Sequence, residues 1–331
     1  MMRGARAVTV LALLSCGCVP DRTATHGSRE PGLFPVRSGG LVGLIDQNGR
    51  LVLEPRFEYL GEESEGLIAA RTNDRWGFVD REGEFVILPD FDEVGPFSTG
   101  LAAAAVDGKA GYIGRDGEWV VEPRFDAARR FREGLAAVQT DGLWGFLAPD
   151  GEMAIEPAYP FTRDFEGGRA VVQVGERMGY LASSGELVIP ARLRSALPFS
   201  EGLAAVQVED ETWGFIDEGG SFAIEPRFYW AGRFSEGLAA VRIGLRWGYV
   251  NTQGDVLIEP QFERAEPFSG GLAPVRVDGL WGYLDRAGGL SIEPRFTRAE
   301  PFTGGLGLVQ VDDGSWGWVE TLGNWVWEPS Q

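Results

Sequence analysis

The chain nearly lacks the residues that carry most catalysis and metal binding. Its 331 residues include one His, His26, and two Cys, Cys16 and Cys18, all close to the N-terminus. Beyond them no Ser-His-Asp or Cys-His set, no His- or Cys-based zinc site and no disulfide framework can be built. The phosphate-cradling GxxxxGK[ST] run and the alternating Asp/Asn ligands of an EF-hand are missing too, so no cofactor or metal is expected. Lysine is confined to Lys109, and the formal net charge is −19. Such an acidic surface repels phosphate backbones, which excludes nucleic acid as the expected partner.

Glycine and aromatics are abundant instead. There are 48 Gly, 20 Phe, 11 Trp and 7 Tyr. Disordered Gly-rich chains lack aromatics, so this combination predicts many tight turns between short strands. A hydrophobic content of 44% supports a sizeable core.

The first 15 residues, MMRGARAVTVLALLS, place Arg3 and Arg6 before the apolar run Ala7 to Leu14. That run is too short to span a bilayer, and the layout is that of a secretory signal peptide. Leu13-Leu14-Ser15-Cys16 resembles the lipobox of bacterial lipoproteins. The resemblance implies cleavage before Cys16 and lipid attachment there, with Cys18 as the alternative site. An ordinary signal peptide cut nearby is the other reading. Residues 16–32 are expected to form the lipidated Cys and a polar tether, and residues 33–331 the folded body.

The body repeats itself. A Gly recurs at Gly43, Gly77, Gly111, Gly145, Gly179, Gly214, Gly248, Gly282 and Gly317, always 34 or 35 residues apart, and Trp precedes it in six of the nine copies. A second Gly follows six residues later, and a Pro such as Pro123 or Pro157 closes each unit. A fixed period of this length signals a solenoid, propeller or array.

Each copy translates into three strands. GLAAVQV has strand length, Asp-Gly turns such as Asp141-Gly142 signal a hairpin, and WGF begins the second strand. A D-x-x-G turn leads to a third strand that stops at Pro, which cannot donate to a ladder. Side chains alternate along a strand, so the Gly after Trp leaves a vacancy on the face opposite the Trp. Trp becomes Val42, Ala110 or Met178 in three copies while the Gly stays, so backbone geometry at the Gly is the stricter demand.

With WG, D-x-x-G, E-P-x-F and F-S-E-G-L-A phrases across residues 33–331, the chain resembles bacterial WG-repeat proteins. The resemblance implies repeated β structure and an interaction role, with no common enzymatic activity. The expected fold is all-β: nine tandem three-stranded antiparallel meanders stacked as an open curved array. The array is preferred because no unit is split between the termini and nine blades exceed the usual propeller range. The alternative is a closed, propeller-like ring.

Carboxylates recur before the closing Pro (Glu54, Glu122, Glu156, Glu225, Glu259, Glu293, Glu328) and at the end of the second strand (Asp46, Asp80, Asp217, Asp285). Repetition at one structural position points to turn capping or ion pairing rather than acid-base chemistry. Departures from the consensus are better clues. Tyr229-Trp230 puts two rings on a return connection, where they would anchor a partner or stack on a sugar. The fifth copy is eroded at Arg169, Met178 and 191–194, which marks a bend, a docking spot or plain drift.

The leading expectation is a non-enzymatic lipoprotein of the bacterial cell envelope, held to the membrane by its N-terminal lipid and presenting a protein-interaction scaffold. A glycan or peptidoglycan binder using Tyr229 and Trp230 is the alternative. A hydrolase built from carboxylates alone ranks last.

Overall fold

The computed structural model describes residues 32–329. Cys16, Cys18, the signal segment and nearly all of the tether lie outside the described residues.

Nine antiparallel sheets follow one another along the chain, here blades 1 to 9: residues 34–57, 59–91, 93–125, 127–159, 162–193, 195–228, 230–262, 264–296 and 298–327. Blade 8 shows the plan. Arg264–Ala265, Leu272–Val277, Leu280–Asp285 and Leu290–Phe296 pair in chain order. The last three are the strands read from sequence. The first is a short extra strand inside what reads as a return loop, so the three-stranded expectation is corrected to four. Seven sheets have all four strands, and blades 1 and 5 have three. The extra strand is only two residues long in five blades, too short for a period-2 pattern to show.

The open array is also corrected: the blades close into a ring. Nine hydrophobic clusters each straddle two neighbouring blades. An open stack of nine has only eight joints. The ninth cluster joins the ends of the chain, setting Phe34, Val36 and Ile45 of blade 1 against Leu306 and Trp318 of blade 9. The Phe34 and Trp318 rings meet edge to face at 5.1 Å, and the Trp318 indole donates to the Pro35 carbonyl at 2.8 Å. Closure needs no blade shared between the termini, because the joint is face-to-face packing and not strand pairing. The array expectation rested on that missing shared blade and on a blade count above the usual range.

The short strand is the innermost. Arg130 of blade 4 reaches Glu62 of blade 2 at 3.0 Å, and Arg233 of blade 7 pairs with Glu166 of blade 5. Side chains two blades apart can meet only where blades converge on the axis. The outermost strand, such as Leu290–Phe296, alternates exposed and buried positions and carries the Glu-Pro-Arg phrase. Proline and charge on that edge blunt it against strand pairing.

Joints are stitched by repeated hydrogen bonds. Ser98, Ser200, Ser235 and Ser269 each donate to the Phe carbonyl of the next blade, for example Ser98 to Phe131 at 2.9 Å. The Tyr112, Tyr180, Tyr249 and Tyr283 hydroxyls donate to carbonyls of Arg129, Leu197, Glu266 and Glu300 at 2.7 to 2.8 Å, again one blade on. Burial pushes all four phenols well above the usual tyrosine range. Below about pH 10 these groups are neutral in folded and unfolded chains alike. Above it the unfolded chain loses protons that the folded one keeps, so stability falls as pH rises. Melting temperature is therefore expected to drop from about pH 10 upward. The drop should flatten when all four are changed to Phe, at about 1 kcal/mol per lost hydrogen bond at neutral pH.

Blade 5, the eroded copy, keeps only two isolated bridges of its inner strand, Thr162 with Val172 and Glu166 with Arg169. Thr162 is fully buried, and its hydroxyl is 3.0 Å from the Val171 and Arg163 carbonyls. Arg169 turns to blade 6 and donates to the Glu218 carbonyl at 3.1 Å.

Candidate functional site

The ring has two rims, each built from two kinds of connection. One carries the D-x-x-G turns and the turns that join inner to second strand. Their carboxylates hold backbone. Asp285 accepts from the Ala287 and Gly289 amides at 2.8 and 2.9 Å, and Asp217 does the same for Gly219 and Ser221. Backbone donation, first from Arg50, lowers the pKa of Asp46 in the equivalent turn. The Glu residues that precede the closing Pro stand on the outer strands. The Arg after that Pro reaches across the joint, as when Arg124 donates to the Gly151 carbonyl at 2.9 Å. The turn Asp residues and the Arg residues are thus occupied with turns and joints, and the Glu residues before Pro stand exposed on the outer strands. Among the described residues, no three His, Cys, Asp or Glu side chains cluster in a way that could hold a metal ion.

The repeat glycines have a different task from the turn glycines. A Cβ on Gly145 would stand 2.6 Å from the Pro157 nitrogen and closer still to the Ile155 carbonyl oxygen, both in the outer strand of its own blade. Gly43, Gly77, Gly111, Gly179, Gly214, Gly248 and Gly282 meet the same backbone, and Gly317 meets Trp327 and the Trp325 ring. The vacancy opposite the Trp is thus filled by strand backbone.

The opposite rim carries the hairpins between second and third strands and the links from one blade to the next. Tyr229 and Trp230 sit there, at the start of blade 7. Trp230 heads the inner strand and faces Arg242, which in turn faces Trp247. Its ring lies 5.0 Å from that of Trp247 and 5.9 Å from that of Trp213 in blade 6. Trp213 and Trp247 are buried, so Trp230 is a lid over two core rings, held across a joint. It still shows 37% of its surface, and Tyr229 shows 61%.

Two residues join them that the sequence reading passed over. The blade 7 hairpin, between Leu238–Ile243 and Arg246–Asn251, turns through Gly244-Leu245. Leu245 is 90% exposed at the tip and Ile243 37%. Every other hairpin tip except that of blade 1, Gly39-Gly40, carries a carboxylate: Asp74, Asp107, Asp141, Glu176, Asp210, Asp278 and Asp313 among them. The signal was available as a Leu where the other copies place acid, but periodicity gives a turn residue no weight.

Tyr229, Trp230, Ile243 and Leu245 give one blade an apolar end on a rim of charged turns. Nothing in the group offers a nucleophile or a general base.

Nine radial antiparallel blades with one hydrophobic joint per neighbouring pair define a nine-bladed β-propeller. The chain belongs to the WG-containing-repeat family, whose profile matches residues 43–76, 76–109, 111–144, 144–177, 178–211, 213–244, 247–281 and 281–314. Its matches run roughly from one W-G pair to the next, so eight intervals correspond to nine blades. No curated protein matches the chain. Among solved structures, a eukaryotic initiation factor superposes with a TM-score of 0.62 at 12% identity, over 91% of this chain and 96% of its own. That likeness is one of fold. The computationally designed protein Ika8 and BamB from Moraxella catarrhalis each match with a TM-score of 0.46 at 13% identity. They cover 88% and 85% of this chain, and 97% and 92% of theirs.

Proposed function

We propose that the protein is a non-enzymatic lipoprotein of the bacterial cell envelope whose propeller serves as a protein-interaction scaffold, with the blade 7 rim as its contact point. The observation that carries this reading is the rim itself, where Leu245, Tyr229, Trp230 and Ile243 stand exposed on one blade. A tryptophan held rigid by two buried neighbours loses little entropy on binding, and Trp and Tyr dominate interface hot spots. Export and anchoring rest on Arg3, Arg6, the apolar run and Leu13-Leu14-Ser15-Cys16. Several acyl chains on one Cys would hold the protein stably where a single chain would not.

Two experiments test the reading. Mature protein on a support is exposed to detergent-solubilised host envelope, beside the Trp230→Ala and Leu245→Asp variants. One protein retained near stoichiometry, and lost with both variants, is the expected result. Retention of muropeptide or polysaccharide without a protein would transfer the site to glycan. For the anchor, cells are fed labelled palmitate. Label on the native chain and on Cys18→Ser, and none on Cys16→Ser, is expected; an unlabelled native chain would end the lipoprotein assignment.

A further inference from the structure

We infer that the blade 7 rim takes an acidic peptide segment, one that combines an apolar anchor with carboxylates. This deepens, and rests on, the scaffold reading above. Charge complementarity carries it. Arg242 and Arg246 flank the exposed apolar group within blade 7. Arg264 heads the inner strand of blade 8, at the place that Trp230 takes in blade 7. Among the described residues, none of these three forms an ion pair within 4 Å, while Arg246 donates to the Gln261 carbonyl at 3.4 Å and Arg264 lies in the field of Glu266. By contrast, acids on the same rim engage other arginines: Arg71 with Asp74 at 2.7 Å and Arg75 with Asp92 at 2.5 Å in blade 2, Arg194 with Glu211 at 2.9 Å at the start of blade 6, and Arg276 with Glu263 at 3.7 Å in blade 8.

Arg242 is the most telling of the three. Its guanidinium lies 5.9 Å from the Tyr229 ring centre, and its Nε is buried without a hydrogen-bond partner. The buried Nε is shared with Arg132, Arg163 and Arg169 elsewhere in the ring, so it is the outer, partly exposed edge of the Arg242 guanidinium that a ligand carboxylate would meet. A chain of net charge −19 therefore keeps Arg242 and Arg246 without a carboxylate partner beside its most exposed apolar side chain among the described residues, Leu245, with Arg264 one blade on.

The rim's layout favours a peptide over a membrane surface. An anionic bilayer approaching this rim would also meet the acidic tips of the other hairpins, Asp107, Asp141, Asp210, Asp278 and Asp313 among them, and be repelled. A peptide of a few residues touches blades 7 and 8 alone. Leu245 and Tyr229 would pack on its apolar side chain, while Arg242, Arg246 and Arg264 receive its carboxylates.

The test uses a random hexapeptide library selected on the full chain and counter-selected on Leu245→Asp. Enriched sequences are expected to pair Leu, Phe or Trp with two or more Asp or Glu. A labelled winner, titrated by fluorescence anisotropy, should bind about tenfold more weakly to Arg246→Glu and lose affinity as salt rises. Arg246→Glu/Arg264→Glu should bind the Lys-substituted peptide instead. All three residues are at the surface, and an unchanged melting temperature verifies the fold. Enrichment of neutral or basic peptides on the same patch would overturn the acidic assignment and leave the scaffold reading standing. No enriched peptide at all, together with capture from envelope indifferent to Trp230→Ala, would overturn both. Binding of phosphatidylglycerol vesicles abolished by Leu245→Asp, with no peptide enriched, would replace the peptide with a membrane.

Discussion

Replacing Gly145 with Ala is expected to destabilise the propeller by about 3 kcal/mol or more, a large share of a typical domain's stability. A methyl group there has no room. It would stand 2.6 Å from the Pro157 nitrogen, and the Glu156 carbonyl carbon is 2.8 Å away. These are backbone atoms of a paired strand, so they can yield only by breaking the Phe146–Ile155 register around them. Gly142, three residues away, is the control. It has φ +78° in the Asp141-Gly142 hairpin, but nothing lies within 4 Å of an added Cβ. Gly142→Ala should cost only the left-handed strain, about 1 kcal/mol. Trp144→Val copies what blade 1 already has at Val42 and should cost about 2 kcal/mol of lost apolar burial. Urea unfolding of the three variants gives the ranking. Gly145→Ala falling at or below Gly142→Ala would mean that the outer strand yields easily, against the packing described here.

Removing blade 9, residues 298–331, is expected to abolish cooperative folding. In a ring, that deletion strips two apolar faces at once. Blade 8 loses cover over Tyr283, Ile292 and Phe296, and blade 1 over Phe34, Val36 and Ile45. In an open stack the same deletion would leave blade 1 untouched and simply shorten the array. Within the whole chain, Trp318→Ala removes the closing ring contact and the bond to Pro35, for an expected cost of about 3–5 kcal/mol. Trp318→Phe keeps an aromatic ring against Phe34 and should lose about 1 kcal/mol with the hydrogen bond. Calorimetry distinguishes the architectures. A single sharp transition that collapses on truncation belongs to a ring. A truncated chain that melts as cooperatively as the parent would contradict closure.

Much of this molecule was legible in one dimension. The period of 34 or 35 residues, the turn phrases and the unvarying Gly of the W-G position define nine β units, because each encodes a local event: a hairpin, a stop, a close approach of backbone. Tyr229 and Trp230 were legible as departures from the repeat. Leu245 was not, because a single apolar residue at a turn carries no periodic signal. The fourth strand was hidden for a similar reason. At Glu93–Val94 or Arg298–Ala299 it spans two residues, and its pairing depends on the neighbouring strand rather than on its own pattern.

Closure lay beyond the sequence altogether. Whether nine blades form a line or a ring depends on the small rotation between neighbours, summed over every joint. No residue encodes that sum. It emerges from how Phe, Tyr and Ile side chains fill each inter-blade cluster, and it becomes visible only where Trp318 meets Phe34 and Pro35 from the far end of the chain. The sequence determined the unit and its repetition through local backbone chemistry. The tertiary structure alone decided the ring, and with it the single rim that carries Leu245, Trp230, Arg242 and Arg246.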